Sequence, residues 1–346
     1  MKAAILEKIE DLKFVELDKP EPARGEILVR VKACAICGTD IKIYHHGHKM
    51  IQFPRVTGHE VSGIIEKLGE GVGGYKTGDR VAVAAAIPCG ECHYCRNDMQ
   101  GMCDNLTAMG YHYNGGFEEY MAVPEVAVRN ECVNYIPENV SFEEASIAEP
   151  LACCINGQEL SGVKKGDVVV VIGSGPIGSF HIELARAKGA SKTMLADISK
   201  ERLGTARGVC KPDVLINSLK ENLVELVKSE TGGRGAEVVI TACSSGKAQE
   251  QALEIVAKRG NVNFFGGLPK DNPCIRFNSN ILHYGEVFVV GTHGSAPKHN
   301  RMALDMMGKG NIKAKNYITA QLPLAKLLDG IKMVENAEGL KTIIRP

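Results

Sequence analysis

The sequence predicts an α/β protein of two domains, the first rich in β-strands and the second a doubly wound parallel sheet with flanking helices. Three observations carry this expectation. The chain has 346 residues, which at roughly 100–200 residues per domain suggests two. Glycines and turn residues punctuate short extended runs as far as about Pro137. From Asp167 onward, apolar runs alternate with helical stretches, as they do around a parallel sheet.

In chain order, GEILVRVKACAIC and HEVSGIIEKLG alternate like strands, and GDRVAVAAAIPC is a third, opened by the turn pair Gly78-Asp79. GGFEEYMAVPEVAV adds two short extended runs. Ser141 and Glu144 have capping-box spacing and open SFEEASIAEPLACCINGQELSGV. DVVVVIG is a continuous apolar run ending in glycine, as a buried parallel strand does. GPIGSFHIELARAKGA reads as a helix and KTMLADIS as the next strand. AEVVITAC, GNVNFFGG and GEVFVVGT are further strands, the last preceded by an irregular segment. The tail after about Ser295 contains amphipathic helical runs and closes on KTIIRP.

Charge excludes some functions. Lys+Arg number 41 against Asp+Glu 41, with no long run of one sign. Neither a nucleic-acid footprint nor a polybasic membrane patch is expected. The start, MKAAILEKIEDLKFVEL, lacks the apolar core of a signal peptide, and no apolar run approaches the ~18–20 residues of a spanning helix. The expectation is a soluble cytoplasmic protein acting on a small molecule.

The twelve cysteines are not the framework of a small secreted chain. Four follow the spacing C-x2-C-x2-C-x7-C: Cys89, Cys92, Cys95 and Cys103. Four thiolates close a tetrahedral zinc shell and leave no open position, so this zinc is structural. An iron–sulfur cluster is the competitor and a redox dithiol a weaker one. Cys34, Cys132, Cys153, Cys154, Cys210, Cys243 and Cys274 sit mostly among apolar neighbours and read as small buried hydrophobes.

Gly173-Ser174-Gly175-Pro176-Ile177-Gly178 follows the apolar run and opens a helix, and Asp197 comes nineteen residues after its last glycine. This context makes a dinucleotide fingerprint: the glycines let backbone approach a pyrophosphate, and the helix N-terminus faces the phosphates. Asp197 suits an adenosine ribose diol and repels a 2′-phosphate, which favours NAD over NADP. Arg202 can stack on adenine or cap the local charge. A second metal constellation lies in Cys37-Gly38-Thr39-Asp40 and Gly58-His59-Glu60. A catalytic zinc takes three protein ligands; Cys37 and His59 supply two, and either Glu60 or Glu149 the third.

These motifs together resemble the zinc-dependent medium-chain dehydrogenase family over essentially the whole chain. Glu149-Pro150-Leu151-Ala152 narrows the resemblance to the polyol branch of sorbitol and arabitol-phosphate dehydrogenases, with threonine dehydrogenase a near relative. The resemblance implies a GroES-like catalytic domain over 1–147 and 296–346, and a Rossmann domain over 148–295. It also implies NAD, one catalytic and one structural zinc, and a homo-oligomer, either tetramer or dimer.

By the same resemblance, Thr39 relays the substrate proton, and Asp40 hydrogen-bonds the free ring nitrogen of His59. Glu60 and Glu149 share the third-ligand role, Glu149 acting through a water in the polyol branch. Gly266, Gly267, Val290 and Gly291 line the nicotinamide ribose. Two positions depart from the family. Lys42 stands where many members place a relay histidine, and Asn156 where the polyol branch often has one. A protonated lysine cannot accept a proton, so His45, His46 and His48 are alternative exits.

The expected activity is oxidation of a secondary alcohol in a polyol, sugar alcohol or polyol phosphate, with hydride transfer to NAD. The alternatives are an L-threonine 3-dehydrogenase-like activity and, in another class, a non-catalytic NAD- and zinc-binding protein.

Overall fold

The alternating run after Gly25 becomes strand Ile27–Ala35 in the computed structural model, which describes residues 1–346. The chain divides into two units: Met1–Ala152 with Gly294–Pro346, and Cys153–His293.

In the first unit, Ile27, Leu28, Val29 and Ala33 are fully buried, which makes Ile27–Ala35 the central strand of a seven-stranded sheet. The order is Val133–Tyr135, Arg80–Val83, Glu60–Leu68, Ile27–Ala35, Lys341–Arg345, Ile318–Pro323, with Tyr120–Val123 also paired to Ile27–Ala35. All pairs are antiparallel except the last two strands of that order, which run parallel. A separate three-stranded sheet joins Asp11–Glu16, Lys2–Lys8 and Arg55–Val56.

Register positions the site. Ala35 pairs with Glu60 on one side and with Ile343 on the other. Cys37, His59, Glu60 and Lys341 therefore all lie within two residues of one rung of the sheet. Strand side chains alternate between faces, so the register also selects which of these residues meet.

The second unit holds six parallel strands in the order Val214–Asn217, Lys192–Asp197, Val168–Ile172, Ala236–Thr241, Val256–Phe264, Phe288–Gly291. This is the doubly wound order 3-2-1-4-5-6. All five residues of Val168–Ile172 are buried, as the unbroken apolar run requires. Ile172 pairs with Ala196 and with Thr241, and Phe264 with Gly291. The carboxyl ends of these strands therefore emerge along one edge, where such sheets bind ligands.

The structure adds to and corrects the sequence reading. PEVAV, expected to be extended, is helical: Pro124 is the N-cap of helix Glu125–Arg129, and Ala127 is buried on its inner side. A run of five apolar-rich residues fits either period, and proline at a helix start decides it. A short helix, Asn280–Gly285, occupies the segment expected to be irregular before the last strand. Cys34, Cys132, Cys154 and Cys210 are buried as expected, but Cys153 and Cys243 are half-buried and Cys274 is exposed. No helix is long and apolar enough to cross a membrane.

Candidate metal centres and dinucleotide site

The four-cysteine loop grows from the short hairpin of Ala86–Ile87 with Thr107–Ala108. Gly90, in the left-handed region at φ 84°, permits the turn after Cys89; a Cβ there would lie 2.4 Å from the Asn130 side-chain oxygen. Helix His93–Arg96, capped by Cys92, then turns Cys95 back toward Cys89 and Cys92. Sulfur–sulfur distances are 3.5 Å for Cys92–Cys95, 3.8 Å for Cys92–Cys103 and 4.0 Å for Cys89–Cys95. A tetrahedron with zinc–sulfur bonds of ~2.3 Å has edges of ~3.8 Å, so the donor set fits zinc. Backbone N–H groups of Cys95 and Asp104 hold the Cys92 thiol down to about 6, while burial pushes Cys103 up to about 12. An ion pair of Lys298 with Asp98, at 2.6 Å, fastens the loop to helix Pro297–Gly308.

The second centre is assembled from separate strands. Cys37 is the N-cap of helix Gly38–His46, and its N–H donates to the Asp40 carboxylate at 2.9 Å. The ligand atoms of Cys37, His59 and Glu60 all lie within 4.8 Å of one another. His59 Nδ1 faces Asp40 Oδ1 at 3.5 Å, and the Cys37 and Thr39 side chains meet at 3.6 Å. Glu60 is fully buried; its Oε2 is paired with Lys341 Nζ at 2.5 Å, and its Oε1 has no partner. A buried carboxylate with one oxygen left over beside a thiol and an imidazole suits a cation, so these residues fit zinc. Glu149, at the N-terminal end of helix Ala148–Leu160, lies outside this set, yet its charge helps to raise the Glu60 carboxyl.

In the second unit the glycines have distinct tasks. Gly173 takes φ 112°, and a Cβ on it would lie 2.7 Å from the Ala242 carbonyl oxygen. A Cβ on Gly178 would lie 1.7 Å from the Gly173 carbonyl oxygen, so helix and strand pack closely. Gly175, the N-cap of helix Pro176–Ala187, has no atom within 4 Å of that position and leaves a clear approach to the helix end. Pro176 takes the first turn, and Ile177 follows it there.

Asp197 ends its strand with its carboxylate held by three donors: Ser174 N–H at 2.7 Å, Ser174 Oγ at 2.8 Å and Ser199 N–H at 2.8 Å. Gly266 donates its N–H to the Thr241 carbonyl at 2.8 Å, and Gly267 is open. Val290 and Gly291 end the last strand. Arg202 is exposed on helix Lys200–Val209. A clear helix end beside a fixed carboxylate at the carboxyl edge of the sheet fits a dinucleotide.

Two family models match this chain: the alcohol dehydrogenase GroES-like domain over residues 23–133 and the zinc-binding dehydrogenase over residues 176–309. A sorbitol dehydrogenase of Halalkalibacterium halodurans is 31% identical over 338 residues, covering 96% of each chain. The chain belongs to the zinc-dependent medium-chain alcohol dehydrogenase family. An L-threonine 3-dehydrogenase of Pyrococcus furiosus is 34% identical over 284 residues, covering 81% of this dehydrogenase and 79% of the relative. The crystal structure of a zinc-binding dehydrogenase from Sinorhizobium meliloti 1021 bound to NADP superposes with a TM-score of 0.92 at 29% identity, covering 100% of this chain and 99% of that one.

Sequence reasoning missed two residues of the dehydrogenase's buried centre. Lys341 is buried, contacts Glu60 at 2.5 Å and donates from Nζ to the Ile36 carbonyl at 3.0 Å. Burial alone would lower the ammonium; Glu60 and Cys37 outweigh it and hold it above its ordinary value. Burial likewise pushes Glu60 up against the pull of Lys341. A charged residue in the apolar strand KTIIR was the available signal, but nothing in the sequence names its partner. Tyr111 is the other, packed beside the His59 ring. Among the alternative proton exits, His45 is engaged by Glu10 at 2.8 Å and Glu335 at 3.2 Å. Lys42 is exposed on the same helix, and His48 packs on Tyr111.

Proposed function

We propose that this dehydrogenase oxidises a secondary alcohol of a polyol, sugar alcohol or polyol phosphate to the ketone, transferring the hydride to NAD. The observation that carries the reading is the Cys37–His59–Glu60 ligand set with the Glu149 carboxylate close enough to act on Glu60. Two carboxylates at a metal centre suit a substrate that brings several hydroxyl groups.

When bound, zinc lowers the pKa of an alcohol hydroxyl, and the nicotinamide takes the hydride. The protein's own groups do the rest. Cys37, His59 and Glu60 hold the metal, and Asp40 orients the His59 ring. Thr39, beside Cys37, receives the alcohol proton and passes it outward. Asp197 receives the ribose diol with a carboxylate that Ser174 and Ser199 already fix in place, and its charge disfavours a 2′-phosphate. Gly266, Gly267, Val290 and Gly291 line the nicotinamide side.

The same reading places the dehydrogenase in the cytoplasm, where thiols stay reduced and available to a metal. It makes the dehydrogenase a homo-oligomer, tetramer or dimer. Strand Phe288–Gly291 ends its sheet with Phe288 55% and Val289 39% exposed, an edge suited to a second copy.

Initial rates of NAD and NADP reduction across polyols, polyol phosphates, inositols and threonine test the proposal. A polyol-type substrate with NAD is the expected best pair. Threonine as the best substrate would replace the polyol assignment, and preference for NADP would overturn the role given to Asp197.

A further inference from the structure

Tyr111 stands at the buried metal centre with no part in the chemistry above. Its loop is pinned at the base: Gly110, at φ 77°, would place a Cβ 2.9 Å from the carbonyl oxygen of Gly58, the residue before His59. Met109 N–H donates to the Ala85 carbonyl at 3.0 Å. The Tyr111 ring lies near two imidazoles, its centroid 5.7 Å from that of His59 and 5.2 Å from that of His48, the latter edge-on at 77°. His48 is itself fixed by the Met50 N–H at 3.3 Å. Below the ring are Leu6, Ile43 and Ile51, an apolar bed that holds it without engaging its hydroxyl.

The half-buried ring lies beside His59, one of the three residues of the ligand set. The Tyr111 hydroxyl has no hydrogen-bond partner within the protein and, unlike the orphaned atoms of Glu60 and His59, remains open to solvent. A tyrosine hydroxyl that becomes covered on binding needs a partner. Here the ring is held by packing beside His59, while the hydroxyl is left for a molecule that enters from solvent.

We propose that Tyr111 determines substrate specificity: its hydroxyl donates a hydrogen bond to the substrate hydroxyl on the carbon next to the one oxidised. The group selected is a vicinal diol rather than an isolated secondary alcohol. This rests on the function proposed above and names the feature of the polyol that the site reads. A site that hydrogen-bonds a substrate hydroxyl discriminates against an analogue lacking it, because the donor that the substrate covers is then unpaired.

Tyr111→Phe keeps the ring and removes the donor. The measurements are kcat/KM on a sugar alcohol that the wild type oxidises, kcat/KM on its deoxy analogue lacking the neighbouring hydroxyl, and zinc content. The wild type is expected to prefer the parent polyol strongly. The variant should lose roughly 10–100-fold on the parent, change less than about twofold on the analogue, and keep its zinc. Calorimetric titration with the parent polyol should show weaker binding to the variant. Equal losses on both compounds, no loss on the parent, or a wild type indifferent to the neighbouring hydroxyl each overturn the inference while leaving the polyol function standing. A wild type that reduces NAD with no polyol overturns the proposed function, and the inference with it.

Discussion

The two candidate metal centres differ in how the chain builds them. Cys89, Cys92, Cys95 and Cys103 fall within sixteen residues, and a hairpin and one helical turn bring their sulfurs within 4.8 Å of one another. Cys37, His59, Glu60 and Lys341 span almost the whole sequence and meet because three strands align in register. The first set offers four like ligands on a loop with few buried neighbours, so the metal supplies the cohesion. The second offers unlike ligands in a site already held by the sheet core, so the fold supplies the cohesion and the metal is free for chemistry.

Loss of a ligand should therefore act on stability at the first centre and on turnover at the second. The largest effect is expected for Cys92→Ser. Apparent binding free energies of structural zinc reach about 10–16 kcal/mol in small domains, and a part of that loss would leave the loop unfolded. Thermal unfolding and soluble yield should fall sharply, while the turnover of protein that remains folded and fully zinc-loaded stays near wild type. Normal stability and zinc content without turnover would exchange the roles of the two centres.

Thr39→Val is the converse. It keeps the shape and removes the hydroxyl, so kcat should fall by about 10²–10⁴-fold, the usual weight of a proton-transfer group. Zinc content, NAD binding and melting temperature should be unchanged. Undiminished turnover would remove Thr39 from the proton path.

Lys341→Met tests whether the fold alone holds the buried centre. Removing one partner of a buried ion pair destabilises by about 3–5 kcal/mol, because the other charge is stranded. Calorimetry should show a lowered melting temperature, most of which Lys341→Met/Glu60→Gln restores. A double variant no more stable than the single one would show that Lys341 acts independently of Glu60.

Glu118 supplies a control with no cation beside it. Its carboxyl is buried, and burial alone pushes it up to about 8 from 4.5. The folded protein then holds a proton that the unfolded chain releases above about 4.5. Stability is fully retained below that pH, falls by at most about 1.4 kcal/mol per pH unit as pH rises toward 8, and changes no further beyond it. Glu118→Gln should raise the melting temperature at pH 8 and leave it unchanged at pH 4. The same gain at both pH values would mean that the carboxyl ionises as readily in the folded protein as in the unfolded chain, and that burial does not raise it.

The parallel sheet was readable in advance because its central strands are buried on both faces and read as unbroken apolar runs, as in Val168–Ile172. Strand Val214–Asn217 escaped notice: four residues, only Ile216 fully buried, give too short a signal. Lys2–Lys8 and Asp11–Glu16 were hidden by charges on their open face. The capping box of Ser141 and Glu144 formed as expected, with hydrogen bonds of 2.9 and 3.2 Å, because it depends only on residues three apart.

The sequence by itself determined what local spacing can encode. That includes the four-cysteine loop, the Gly173–Gly178 turn with its helix, the acid at the next strand's end, and the membership that these motifs carry. Tertiary structure decided the rest of the buried centre. Glu60 joins Cys37 and His59 while Glu149 stays outside their set, His45 is drawn to Glu10 and Glu335, and Lys341 comes to Glu60 across 281 positions. The physical reason is strand register. A shift of one residue in the pairing of Ala35 with Glu60 or Ile343 would turn these side chains to the opposite face. That pairing is fixed by burial across the whole sheet, not by the residues that meet at the metal.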